Sequence, residues 1–206
     1  MRRGRFITLE GGEGAGKSTQ AKRLKEYLES QGIQPVLTRE PGGTEGAESI
    51  RTLLLHAPGD AWDEVTETLL FFAARRDHVI RKIQPALAQG SWVISDRFAD
   101  STLCYQGFAG KLGPAYVEML YRLTLGVFAP DMTFILDLPV SHGMERMKTR
   151  GQATDRFEGR TQEFHEGVRR GFLELASRFP ERCHVIDASK DEHAVHAQIR
   201  SFFEAA

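Results

Sequence analysis

Gly11-Gly12-Glu13-Gly14-Ala15-Gly16-Lys17-Ser18 is the stretch that decides the fold. Its spacing, G-x-x-x-x-G-K-S, is that of a phosphate-binding P-loop. Just before it, Arg5-Phe6-Ile7-Thr8-Leu9 has the bulky and β-branched residues of a short strand. Just after it, Ala21, Leu24, Tyr27 and Leu28 fall at helical spacing. Placed between a strand and a helix, the loop has a physical use. Glycines let the backbone come close to a ligand, and successive N–H groups form a nest for phosphate oxygens. The positive end of the helix dipole points to the same place. Lys17 is then expected to reach the β- and γ-phosphates of a nucleotide, and the Ser18 hydroxyl to hold Mg²⁺. Gly11, Gly12, Glu13, Gly14, Ala15, Gly16, Lys17, Ser18 and Thr19 are the expected nucleotide-binding residues.

The 206 residues suit one α/β domain with ample core, and 41% hydrophobic against 27% charged residues argues against disorder. A net charge of −1 gives no global field for a nucleic-acid polymer or a membrane surface. Cys104 and Cys183 have no metal-type spacing and are read as reduced thiols, which points to a cytoplasmic setting. Arg2, Arg3 and Arg5 are not followed by the apolar stretch of a signal peptide. No apolar run approaches the roughly 18 residues of a membrane span.

The pattern alternates strands and helices. Strands are expected at Pro35–Thr38, Trp92–Ser95, Thr133–Leu136 and His184–Ile186, besides the one before the loop. Helices are expected at Ser18–Ser30, Glu45–Leu55, Asp63–Gln89, Asp100–Gln106, Pro114–Phe128 and Ser141–Thr149, in a stretch ending at Arg178, and at Glu192–Glu204. Short apolar strands alternating with helices indicate a P-loop NTPase-type three-layer fold, a parallel sheet of about five strands with helices on both faces. Ligands in such folds bind at the carboxyl ends of the strands. One crevice should therefore gather Gly11–Ser18, the breaker-rich loop Arg39-Glu40-Pro41-Gly42-Gly43-Thr44, and Asp96-Arg97. Asp96 ends a strand, as the acidic partner of a P-loop metal does, although a turn or cap residue stands there as readily. The adjacent Arg97 favours the metal-side reading, since a guanidinium there suits a phosphoryl group. Asp137 also ends a strand but has no basic neighbour and is assigned to structure.

These strings resemble the thymidylate kinases over nearly the whole chain. The resemblance rests on the loop, on Arg39–Thr44, on Phe71-Phe72-Ala73-Ala74-Arg75, and on Asp96-Arg97-Phe98 with Ser101, Tyr105 and Gln106. Arg150-Gly151 and Asp155-Arg156-Phe157-Glu158 complete it. It implies transfer of phosphate from ATP to dTMP, with Mg²⁺, by a homodimer whose only other partners are small molecules. Phe71 is implied to stack on thymine and Arg75 to donate to a thymine carbonyl; by pattern alone Phe71 could be core. Thr102 would meet the base edge, Tyr105 would exclude a ribose 2′-OH, and Ser101 and Gln106 would complete the pocket. Arg51 and Arg97 are candidates for the dTMP phosphate, although Arg51 also reads as an exposed helix charge. Arg39 is read as structural support.

Glu13 would accept from the 3′-OH of dTMP, which accounts for a carboxylate in a loop that binds phosphate. Residues 146–160 resemble a lid over ATP, with Arg146, Lys148, Arg150, Arg156 and Arg160; as a charge run they also fit a solvated loop. The loop's variable positions hold no arginine, so a lid arginine, Arg150, is implied to stabilise the transferred group. Lys17, Arg97, Arg150 and Glu13 form the expected catalytic set, in one nucleoside monophosphate kinase domain. The rivals are another monophosphate kinase and a nucleotide-dependent switch, which would lack a second pocket.

Overall fold

A computed structural model describes residues 3–58, 61–150 and 157–204, with the side chain of Arg150 outside that description. Five strands form the sheet: β1 (Phe6–Gly11), β2 (Val36–Arg39), β3 (Val93–Asp96), β4 (Met132–Asp137) and β5 (Cys183–Asp187). All neighbours are parallel and the order is β2-β3-β1-β4-β5. Asp96 stands beside Leu9 on one side and Arg39 on the other, so β2 and β3 end level and β1 runs on to Gly11. The chain leaves these ends as the P-loop, the Arg39–Thr44 loop and the Arg97 turn.

The helices are α1 (Lys17–Ser30), α2 (Glu45–His56), α3 (Glu64–His78), α4 (Gln84–Ala88), α5 (Ala99–Thr102), α6 (Pro114–Leu125), α7 (Val140–Arg150), α8 (Gln162–Arg178) and α9 (Glu192–Glu204). Strand alternation divides the core between the two faces of the sheet. On one face Ile7, Leu9 and Phe134 pack against Leu24 and Leu28 of α1 and Ile199 of α9. On the other, Ile135 packs with Phe72, Leu120, Val168 and Phe172 from α3, α6 and α8. Burying each such side chain contributes about 1.5–3 kcal/mol, so the two clusters hold the strand ends in fixed register.

The helix expected over Asp63–Gln89 is interrupted. Asp63 is its cap, accepting from the backbone N–H groups of Val65 and Thr66 at 2.9 and 3.1 Å. After α3 the chain takes a π turn, Val79–Ile83, before α4. Pro85 follows directly, and a proline ring crowds the carbonyl one turn back, so a wider turn there relieves the clash. A second π turn, Leu103–Phe108, continues α5 and carries Tyr105 and Gln106. α6 stops at Leu125, short of Phe128, because Gly126 takes a positive φ of 64°.

Candidate active site

The P-loop side is built around backbone groups left open. Gly16, with φ 89°, precedes α1, whose first turn has no side-chain cap and no acidic residue. Its free N–H groups therefore face an incoming anion. Gly14 has φ 70°, and a Cβ there would lie 2.5 Å from the carbonyl oxygen of Gly143 at the start of α7. Lys17 Nζ donates to the carbonyls of Gly11 at 3.1 Å and Gly12 at 2.6 Å. Burial pushes its ammonium down and Arg97 adds to that, while Glu13, Asp96 and Glu10 oppose them; the result is about 8. Ser18 Oγ donates to Asp96 Oδ2, which joins the loop to the end of β3. Thr19 is exposed on the same rim, and with Ala15 lines the cleft.

Arg97 links the two halves of the site. It is the one non-glycine with positive φ (70°) among the described residues. A left-handed residue costs about 1–3 kcal/mol and persists only when its surroundings fix it. Here the Arg97 N–H donates to Leu9 O at 3.0 Å, and Ser95 Oγ donates to the Arg97 carbonyl at 2.8 Å. Glu10, buried at the end of β1, accepts from Phe98 N–H at 2.7 Å and Ser101 Oγ at 2.5 Å. Burial, then the nearby Asp100, raises the Glu10 carboxyl, and Ser101, Arg97 and Phe98 pull it part of the way back, to about 8.

The turn aims the Arg97 guanidinium at Glu13, with Nη2 2.5 Å from Oε1. Arg97 Nη1 reaches Gly11 O and Ser101 Oγ, each at 3.3 Å. Tyr105 donates to the same Glu13 oxygen at 2.7 Å and lies under the guanidinium, 5.3 Å from ring centre to Cζ. Burial alone would raise the Glu13 carboxyl; Arg97, then Lys17 and the Tyr105 hydroxyl, outweigh it and bring it to about 2.

The wall facing the P-loop comes from α3, α5 and the second π turn. Phe71 and Arg75 line the cleft together, while Phe72 is core and Arg76 bonds the Thr124 carbonyl on the outside. Arg75 is buried, with Nε on Glu40 at 2.6 Å and Nη2 on Thr102 Oγ1 at 3.0 Å. Gln106 Nε2 donates to Glu67 at 3.0 Å. Arg51 lines the cleft and donates to Pro41 O at 2.7 Å, a contact with the loop that narrows its reading as a solvated charge. Arg39 pairs with Glu48 at 3.0 Å, and Asp137 with Arg169 at 2.7 and 2.8 Å.

The segment expected to be a lid, residues 146–160, is described only at its ends. Arg146 on α7 donates to Gly14 O at 3.4 Å and Ala188 O at 3.2 Å, and Arg160 lies over Phe164. Arg150 ends α7, its side chain outside the described residues, as are residues 151–156, including Gly151, Asp155 and Arg156. Phe157, part of the string 155–158, lines the cleft 5.6 Å from Phe71 and 6.4 Å from Tyr105 between ring centres. Glu10, Glu40 and His78 were not singled out. Their one signal was charge or polarity next to apolar strand and helix positions.

The whole cleft holds ≈ 820 Å³, toward the upper end of small-molecule sites. A parallel sheet of this order, with a P-loop and an arginine-lined second pocket on one crevice, defines the class of P-loop nucleotide kinases. A family model described as thymidylate kinase matches residues 9–199. The chain belongs to the thymidylate kinase family. It is 52% identical over 199 residues to a thymidylate kinase of Afipia carboxidovorans, covering 96% of this chain and 87% of that one. A thymidylate kinase of Caulobacter vibrioides is 51% identical, covering 97% and 95%. The crystal structure of thymidylate kinase from Ehrlichia chaffeensis superposes with a TM-score of 0.78 at 37% identity, covering 98% of this chain and 99% of that one.

Proposed function

We propose that this chain transfers the γ-phosphoryl group of ATP to the 5′-phosphate of dTMP, giving ADP and dTDP. The observation that carries the reading is Glu13, a P-loop residue bonded to Tyr105 and Arg97 of the opposite wall, so that donor and acceptor halves meet at one carboxylate. The P-loop amides and Lys17 hold the ATP phosphates. Arg97 and Arg51 take the dTMP phosphate, where planar guanidinium forks fit better than an ammonium. Phe71 stacks on the thymine, Arg75 and Thr102 meet its edge, and Gln106 and Ser101 brace the pocket. Tyr105 fills the space a 2′-OH would need, and Glu13 accepts from the 3′-OH, which aims the acceptor phosphate at the γ-phosphorus.

The Ser18–Asp96 pair fits Mg²⁺, which takes hard oxygen donors and needs few protein ligands beside phosphate and water. Ser18 and Asp96 would hold the ion, which would supply positive charge against the phosphates. Phosphoryl transfer then depends on positioning and charge, not on covalent catalysis. Arg97 and the lid arginine Arg150 neutralise the group in transit. The lid, residues 146–160, excludes water as it closes, so that ATP is not hydrolysed.

We read the chain as one kinase domain that works as a cytoplasmic homodimer. No described helix is long and apolar enough to cross a membrane. Cys104 and Cys183 are free thiols, as a reducing compartment favours. Exposed Met119 and Leu123 on α6 support a covered face. Lys17→Ala is expected to lower kcat at least a hundredfold with dTMP, measured as ADP release at saturating Mg-ATP. Retained full turnover would remove the P-loop assignment.

A further inference from the structure

Beneath the acceptor wall lies a buried polar chain that the reading above leaves unused. Glu40, just past β2, accepts from Arg75 Nε on Oε2 at 2.6 Å and bonds His78 Nδ1 through Oε1 at 3.0 Å. His78, the last residue of α3, is fully buried, and its Nε2 lies 2.8 Å from Thr38 Oγ1 on β2. Arg75 Nη2 is committed to Phe98 O at 3.2 Å and Thr102 Oγ1 at 3.0 Å. That leaves Arg75 Nη1, buried and without a partner among the described residues, on a side chain that lines the cleft. A buried N–H without an acceptor is costly, and a ligand oxygen would relieve it.

We infer that His78 is a positioning residue that acts through Glu40 to fix the Arg75 guanidinium, so that Nη1 presents its N–H to a carbonyl oxygen on the acceptor base. This rests on the dTMP kinase reading. A carboxylate bonded only to Arg75 could still turn about its last torsion, and the guanidinium would then be held only through Nη2, by Phe98 O and Thr102 Oγ1. The His78 bond to the second oxygen fixes the carboxylate plane. Both ring nitrogens of the imidazole are held, Nδ1 by Glu40 and Nε2 by Thr38, so its orientation is fixed. Gly43 makes room for this pair, since a Cβ there would lie 2.5 Å from His78 Nε2 and 2.6 Å from Thr38 Oγ1. Nη1 is thereby assigned to the carbonyl at C4, the one that thymine has and cytosine lacks. A carbonyl accepts from Nη1, whereas the amino group of cytosine sets N–H against N–H.

The test uses the full chain with Mg-ATP and the variants His78→Leu, His78→Asn and Thr38→Val, each checked for folding by circular dichroism and melting. His78→Leu is expected to raise the KM for dTMP about tenfold and to lower the dTMP:dCMP ratio of kcat/KM about tenfold. Its kcat and its KM for ATP should stay near wild type. His78→Asn puts an amide N–H near the place of Nδ1 and should recover most of the ratio. Thr38→Val keeps shape and should move the ratio the same way by about threefold. A wild-type ratio in folded His78→Leu or Thr38→Val overturns the inference, as does a parallel rise in the KM for ATP. Should His78→Leu not fold, Thr38→Val and His78→Asn decide by the same ratio. A wild-type enzyme that does not prefer dTMP to dCMP would instead overturn the reading beneath it.

Discussion

Glu10 and Glu13 flank the first two glycines of the loop and titrate in opposite directions from the same ordinary value of 4.5. Glu13 falls to about 2 because Arg97, Lys17 and Tyr105 outweigh its burial. Its contribution to stability is therefore present above pH 4.5 and is lost as pH falls towards 2. At about 1.4 kcal/mol per unit, that is roughly 3 kcal/mol. Glu10 rises to about 8, so the folded state keeps that proton longer and stability declines as pH climbs from 4.5 through 8. Urea denaturation across pH should show Glu13→Gln without the acid loss between 4.5 and 2, and Glu10→Gln flatter between 4.5 and 8. Variants with wild-type slopes would contradict these environments. Glu13 was legible in the sequence because a carboxylate in a phosphate-binding loop works against electrostatics unless it has another task. Glu10, Glu40 and His78 were not, since their partners Phe98, Ser101 and Arg75 are distant in sequence and no spacing rule connects them.

Between elements, the P-loop and α7 meet closely at Gly14 and Gly143. A Cβ on Gly143 would sit 2.4 Å from the carbonyl oxygen of Glu13, and both sides of that contact are backbone. Gly143→Ala is expected to destabilise the fold by about 1–3 kcal/mol and to raise the KM for ATP, because α7 must move off the loop. Urea midpoints with ADP-release kinetics check it; unchanged values for both would mean that α7 does not brace the P-loop. Arg146, bonded to Gly14 O from α7, makes the same junction. The strands and most helices were legible because their apolar periods are strong. The π turns at Val79–Ile83 and Leu103–Phe108 were not, since a widened turn keeps a helical pattern almost intact. The second of them sets Tyr105 against Glu13, so helical periodicity alone could not have fixed that contact.

At the scale of the whole molecule, the strand-end rule made the crevice legible, but the strand order came only from the pairing of β3 between β1 and β2. Large apolar side chains are exposed on α6, Leu123 at 75% and Met119 at 50%. If a second copy covers them, Leu123→Asp should shift sedimentation from dimer to monomer, and an unchanged distribution would place the interface elsewhere. The two halves of the cleft make a sharper demand, because a P-loop alone serves many activities and only a second pocket makes a kinase of this kind. The measurement that tests this most directly is ADP release with Mg-ATP and, in turn, dTMP, dUMP, dCMP, UMP, AMP and no acceptor. Release that depends on dTMP, is weaker with dUMP and is near background with UMP is the expected result. Release without any acceptor, or strongest with another nucleotide, would contradict the account.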